Sequence, residues 1–204
     1  MASNSRTTKL EAVNTMLSTI GEAPVNKLTG SLPTDATMAI NILDEINREV
    51  QAMGWKFNTS YKVTLTRNTD NKIPIGNDVM HVEFNHLREN RTSYDPVLRG
   101  SFLYNLAKES FTWDKNFEEV MVIYLLPFED IIEQARRFIT IRASRIYHDR
   151  TLGANALHRF SKEDEGRALS ILKQAEASTA DHNIFNSLDQ FKTVNRNGAL
   201  KVTS

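Results

Sequence analysis

Two hydrophobic periodicities, helical toward both ends and alternating in the middle, restrict this chain to a mixed fold. Leu10, Val13, Leu17 and Ile20 recur at helical intervals and so share one helical face. Thr8 and Glu11 have capping-box spacing, in which each side chain satisfies a backbone N–H at the helix start. The pattern predicts a helix over residues 8–20, stopped by Gly21 in a left-handed conformation and kept from resuming by Pro24. A second stripe, Met38, Ile42, Ile46, Val50 and Met53, predicts a helix from about Pro33 to Met53, ended by Gly54.

The period then changes from helical to alternating. Tyr61, Val63 and Leu65 alternate with Lys62, Thr64 and Thr66, as in a half-buried strand, and Val82 and Phe84 continue the habit around Glu83. Residues 68–71 and 76–78 are turn clusters, and Val120 to Leu126 reads as a buried strand. Helical spacing returns from Pro127 to Gly153, where Ile131, Ala135, Phe138, Arg142 and Ile146 lie on or near one stripe. A fourth helix is expected over 155–178 through Leu157, Phe160, Ala168, Ile171, Leu172 and Ala175. The expected fold class is α+β, mainly helical: a four-helix bundle built from residues 1–54 and 127–180, with a β-rich insertion at 55–126. Residues 181–204 read as an extended C-terminal docking tail. They are rich in Asn but carry Ile184, Phe185, Leu188, Phe191 and Val194, apolar anchors that a partner would order.

Charge and composition exclude several functions. Lys+Arg and Asp+Glu both number 25, which argues against a general nucleic-acid binder, whose affinity comes from neutralising phosphates. The balance remains compatible with a conduit past which DNA must slide. Cysteine is absent, so disulfides and thiolate metal sites are ruled out. No apolar run approaches the roughly 20 residues of a membrane helix. The first residues lack an apolar signal core, which reads as a chain made in the cytoplasm.

Enzyme signatures are also missing: there is no phosphate-cradling Gly-rich loop, no nucleophile elbow and no His-Glu-x-x-His motif. Among the histidines only His81 and His86 are near one another, at poor metal-ligand spacing; His148, His158 and His182 stand alone. No catalytic residue, metal site or cofactor is expected. Glu118–Glu119 and Glu163–Asp164–Glu165 are the carboxylate groups that a glycan hydrolase could use, and such an enzyme is the rival reading. Neighbouring carboxylates are more often a solvated face. Arg136, Arg137, Arg142, Arg145 and Arg150 make the third helix the most basic segment. Steps of about 100° per residue scatter them around the rod, so they cannot form one phosphate-tracking stripe. Arg137, Arg142 and Arg145 are expected to pair with carboxylates within the bundle or across a subunit boundary, through the planar two-point geometry of guanidinium. Trp55 and Phe57, just after Gly54, are expected to be largely buried where the second helix meets the sheet.

Several segments carry a resemblance. Ala12-Val13-Asn14, Leu17, the run Ile20 to Val25, which contains Gly21 and Pro24, then Leu28 and Gly30 form a first block. Ile42-Leu43, Ile46-Asn47-Arg48 and the run Gly54-Trp55-Lys56-Phe57-Asn58 form a second. Ala143-Ser144-Arg145, Arg150 and Gly153-Ala154 form a third. In order and spacing these blocks resemble tail tubular protein A, the portal-to-tail adaptor or gatekeeper of short-tailed bacteriophages. The region between Tyr61 and Tyr124 departs from the family more. The resemblance implies a structural virion protein that forms a ring, a dodecamer in the family, docked under the portal. Its far side would hold the nozzle, tail tubular protein B, and help seat the tail fibres. DNA would be ejected through the lumen without specific binding, and no membrane would be involved.

Overall fold

The computed structural model describes residues 5–85, 89–90, 92–153 and 160–179. It contains four helices, α1 (Lys9–Thr19), α2 (Thr34–Gln51), α3 (Glu133–Leu152) and α4 (Lys162–Thr179). Between α2 and α3 lie β1 (Thr59–Leu65), β2 (Val79–Glu83), β3 (Pro96–Arg99), β4 (Phe102–Asn105) and β5 (Phe117–Tyr124). The capping box at the start of α1 is present as expected: Glu11 N–H donates to the Thr8 hydroxyl at 3.2 Å and Thr8 N–H to Glu11 Oε2 at 2.8 Å. Gly21 follows α1 at φ +82°, and Glu22 N–H reaches back to the Leu17 carbonyl. That is the left-handed stop in which orphan carbonyls of the last turn are satisfied.

The expected four-helix bundle is not what forms. The described residues form four helices and five strands in two antiparallel sheets, and the helices do not surround a common axis as equals. Instead α3 is central, with α1, α2 and α4 each packed along it. Ala135, Phe138, Ile139, Ile141, Ala143 and Tyr147 are all buried, so α3 is covered on most of its circumference. Helix α4 buries only a narrow line, Ala168 and Leu172, and leaves Ile171 51% exposed. A bundle member would need a wider apolar stripe. Helix α3 also begins later than expected, because Phe128–Asp130 forms a separate short 3-10 turn and Ile132 is extended.

The larger sheet has the order β1–β5–β2, antiparallel throughout; β3 and β4 form a separate hairpin closed by Gly100 at φ +61° and Ser101. The positive φ suits the primed turns that match strand twist. Pairing of β1 with β5 slips twice: Ser60 faces Val122 but Val63 faces Val120, and Leu65 then faces Phe117. The first bulge, on β1, breaks strict alternation and leaves Tyr61 59% exposed, while Val63 and Leu65 still pack inward. The second, on β5, puts Glu119 at φ +53°.

Two apolar clusters result. One joins the helices through Val13, Leu17, Leu43, Ile46, Phe138 and Tyr147. The other lies within the β region, where Phe84 and Phe117 stack at 4.2 Å and Trp113 meets both edge-on. Polar groups join the two parts. The Gln51 side chain, fully buried, accepts from Leu126 N–H at 2.8 Å and donates to the Leu126 carbonyl at 2.9 Å. Asn58 donates to the carbonyls of Gln51 and Tyr124. Gln51→Leu keeps volume but orphans both Leu126 backbone groups. It should lower the unfolding free energy by about 2–4 kcal/mol. Denaturant titration beside Gln51→Glu, which keeps only the acceptor half of the pairing, would check this.

Candidate functional site

Interaction surfaces, and the side chains that shape them, are the candidates in this fold. Arg142 reaches two helices at once: Nη1 lies 2.7 Å from Glu165 Oε1 on α4, and Nη2 lies 2.6 Å from Glu49 Oε1 on α2. Arg145 Nε meets the other Glu165 oxygen at 2.6 Å, and its Nη1 lies 3.2 Å from Asp149. Glu165 therefore holds two guanidinium groups, one per carboxylate oxygen, with its side chain only 13% exposed. Arg150 grips Glu45 with two nitrogens at 2.9 and 3.0 Å. That contact holds the Glu45 carboxyl below its ordinary range. These pairs bind α2, α3 and α4 in a fixed rotation, because a planar fork tolerates little misalignment.

Arg137 does not join this network. Its guanidinium lies 5.6 Å from the centre of the Phe160 ring. It lines a groove of about 380 Å³ between α3 and α4, with Glu133, Ile141, Phe160, Asp164, Arg167 and Ile171 among the walls. Arg136 is different again. It is buried, and its donors go to backbone carbonyls: Nε to Ile131 at 3.0 Å, Nη1 to Thr7 at 2.7 Å and Nη2 to Glu129. Glu133 completes the fastening by accepting from Thr7 N–H and from the Thr7 hydroxyl. Sequence periodicity groups Arg136 with the surface arginines and misses this role; its neighbour Ala135, on the apolar stripe, was the available hint.

The motif residues of the first two blocks shape turns. Asn14 pairs its amide with both backbone groups of Val25 at 2.8 and 2.9 Å, folding the segment after Gly21 and exposed Pro24 back onto α1. At Gly54, φ is +73°, a left-handed conformation that favours glycine, and the nearest neighbour to a Cβ there would be the movable Ile123 Cδ1. Trp55 and Phe57 are partly buried, packed against the helical core. Trp55 follows the C-terminal end of α2, and its indole N–H donates to the Val50 carbonyl at 2.7 Å. Helix α4 returns to this point, where Glu176 accepts from Lys56 N–H. The tail anchors Ile184, Phe185, Leu188, Phe191 and Val194 lie outside the described residues, as do His86, His158 and His182.

Among the described residues no group of three His, Asp or Glu side chains could hold a metal ion, and no helix is long and apolar enough to cross a membrane. Asp164 receives the Ser161 backbone N–H and hydroxyl, which hold its carboxyl below the ordinary range. A glycosidase acid needs the opposite shift. Glu118 is exposed on β5 beside the bulged Glu119. Glu165→Gln should loosen α4 from α2 and α3, costing about 1–3 kcal/mol because one side chain serves two partly buried guanidinium groups. Thermal melts at low and high salt check this, with the wild-type advantage expected to shrink in high salt.

No curated protein matches the sequence. Residues 10–182 match the family model for tail tubular proteins, a stretch that runs from the first turn of α1 past the end of α4. The chain belongs to that family, and it is a structural component of the bacteriophage tail.

Proposed function

We propose that this member of the tail tubular protein family is the adaptor that joins portal to tail in a short-tailed phage. In this reading, copies close into a dodecameric ring through one surface that meets a left neighbour and a different one that meets the right. The ring docks under the portal, holds the nozzle and seats the tail fibres, and DNA passes through its lumen without specific binding. The family match over residues 10–182 carries the reading. The fold supports it in kind: arginine forks lock α2, α3 and α4 into one stiff body, as a load-transmitting stave requires. Arg142 and Arg145 serve within the subunit, which leaves Arg137 as the arginine of the expected trio available to a neighbour. Residues 181–204 supply the portal-docking segment, through Ile184, Phe185, Leu188, Phe191 and Val194.

Electron microscopy of the purified chain mixed with its portal tests the proposal. Rings seated coaxially on the portal are the expected result; chains that stay separate from the portal would refute it. A chain ending at Ala180 should keep its helical circular dichroism and lose portal docking. Undiminished docking by that variant would remove the tail from the interface. The rival hydrolase reading is weaker, because Glu165 is occupied by two arginines and the Asp164 carboxyl is shifted downward.

A further inference from the structure

The outer face of the β3–β4 hairpin is apolar and cationic, and neither core uses it. Leu98 and Leu103 face each other across the hairpin and turn inward, so Val97, Arg99, Phe102 and Tyr104 turn outward. Pro74 pairs with Phe102 from the other side while Ile73 is fully buried, which brings Lys72 onto the same outer face. The Arg99 guanidinium stacks 3.7 Å from the centre of the Tyr104 ring, and the Lys72 ammonium stands 5.7 Å from that of Phe102. Phe111, itself 37% exposed, meets Tyr104 edge-on at 4.9 Å. Val97, Phe102, Tyr104 and Phe111 belong to neither apolar cluster. The neighbouring lysines Lys108 and Lys115 are paired with Asp114 and Glu89. Lys72 and Arg99 are not: among the described residues no carboxylate pairs with either, although Asp70 and Glu109 stand in turns close by in sequence.

We propose that this face docks a segment of a partner protein that presents carboxylates beside apolar or aromatic side chains. Charge complementarity selects the carboxylates, because both cations of the face lack a counter-charge within the chain. Stacking on Tyr104 orients the planar Arg99 fork, so less freedom is lost when it pairs with a carboxylate at two points. Aromatic side chains around an arginine are also the make-up of interface centres, where a few such residues carry most of the binding energy. Two other occupants fit less well. Single-stranded nucleic acid would stack bases on the rings, and there it would compete with Arg99 and Lys72, which already stand over them. Symmetric pairing of two copies through this face would set Arg99 and Lys72 against their own kind. Any tail component that presents the stated chemistry could use the face, so its test does not depend on ring size or on the identity of the portal.

A random-peptide display library panned on the full-length chain tests this, with the Arg99→Gln chain used for counter-selection. Enriched peptides should combine Asp or Glu with aromatic or aliphatic residues. A labelled synthetic copy of the enriched peptide is then titrated against each chain by fluorescence anisotropy. Arg99→Gln should weaken binding roughly tenfold, the loss of one charge-assisted two-point contact. Phe111→Ser should weaken it as well, and Lys62→Gln, a charge removed from exposed β1, should leave it unchanged. Arg99→Lys keeps the charge but loses the fork, so it should fall between wild type and Arg99→Gln, and it guards against a folding loss in the latter. No enrichment, enriched peptides without acidic residues, or equal binding by Arg99→Gln would each overturn the proposal. Tighter binding of a single-stranded oligothymidine that is lost in Arg99→Gln would overturn it in favour of nucleic acid. Self-association of the wild type in sedimentation that Arg99→Gln abolishes would overturn it in favour of a second copy.

Discussion

Trp113→Ala should lower the unfolding free energy by about 3–5 kcal/mol, the range for aromatic truncations in a packed core. Trp113 is 3% exposed and stands edge-on to both Phe84 and Phe117, at 5.5 and 5.2 Å. Its indole N–H donates to the Leu103 carbonyl at 3.0 Å, so one side chain ties the β3–β4 hairpin to the aromatic stack of the larger sheet. Truncation opens a cavity and orphans that carbonyl together. For a chain of 204 residues the loss corresponds to a fall of roughly 10 °C in melting temperature. Trp113→Phe restores most of the volume without the N–H and should recover about half of the loss. Circular dichroism and tryptophan fluorescence, followed through the same denaturant titration, measure both. A Trp113→Ala chain that melts like the wild type would mean the aromatic cluster is not what holds the β region.

Arg136→Met should have an effect of similar size, about 3–5 kcal/mol, since it leaves three backbone carbonyls without a charged donor. Methionine fills much of the aliphatic volume, so the loss reports on hydrogen bonding rather than on a void. Thr7, Glu129 and Ile131 are the partners, and the N-terminal segment is held to α3 through them. Amide exchange in residues 5–8 should therefore accelerate more than exchange in the middle of α2. Arg136→Lys keeps the charge and loses the fork; it should recover only a minority of the stability. Equal protection of both regions in Arg136→Met would show that the N-terminal segment is held by α1 packing alone.

Local signals in the sequence are legible where they are chemically specific. The Thr8–Glu11 capping box and the Gly21 stop both depend on a few atoms within one turn, and both are present. The arrangement of helices was not legible in the same way. Periodicity reports how wide an apolar stripe is, and α3 is covered by three neighbours while carrying buried Arg136, Thr140, Ser144 and His148. Those polar residues hide its central position and suggest an ordinary bundle member. Tyr61 shows the strand counterpart: alternation continues in the sequence, while a bulge after Ser60 turns the tyrosine to solvent. Phe111 and Trp113 alternate with Thr112 and Asp114, yet Phe111 is 37% exposed and Trp113 buried, so the local pattern does not single out Trp113 as the centre of a core. As for surfaces, the positions of the helix-three arginines were plain, but their division into a buried backbone clamp, an inter-helix lock and a groove wall is decided by tertiary packing.

The Gln51–Leu126 pairing joins positions 75 residues apart, and it bears on how the molecule reaches its fold. The helical core is discontinuous: α1 and α2 are made before the strands, α3 and α4 after them. Bringing the two halves together across a flexible loop of that length carries an entropic penalty of about 4 kcal/mol. The intervening strands have an apolar cluster of their own, so they can condense first and deliver Gln51 and Leu126 to each other already within reach. The sheet then acts as a splint for helix docking, and a lesion such as Trp113→Ala should slow the appearance of helical structure that it never touches.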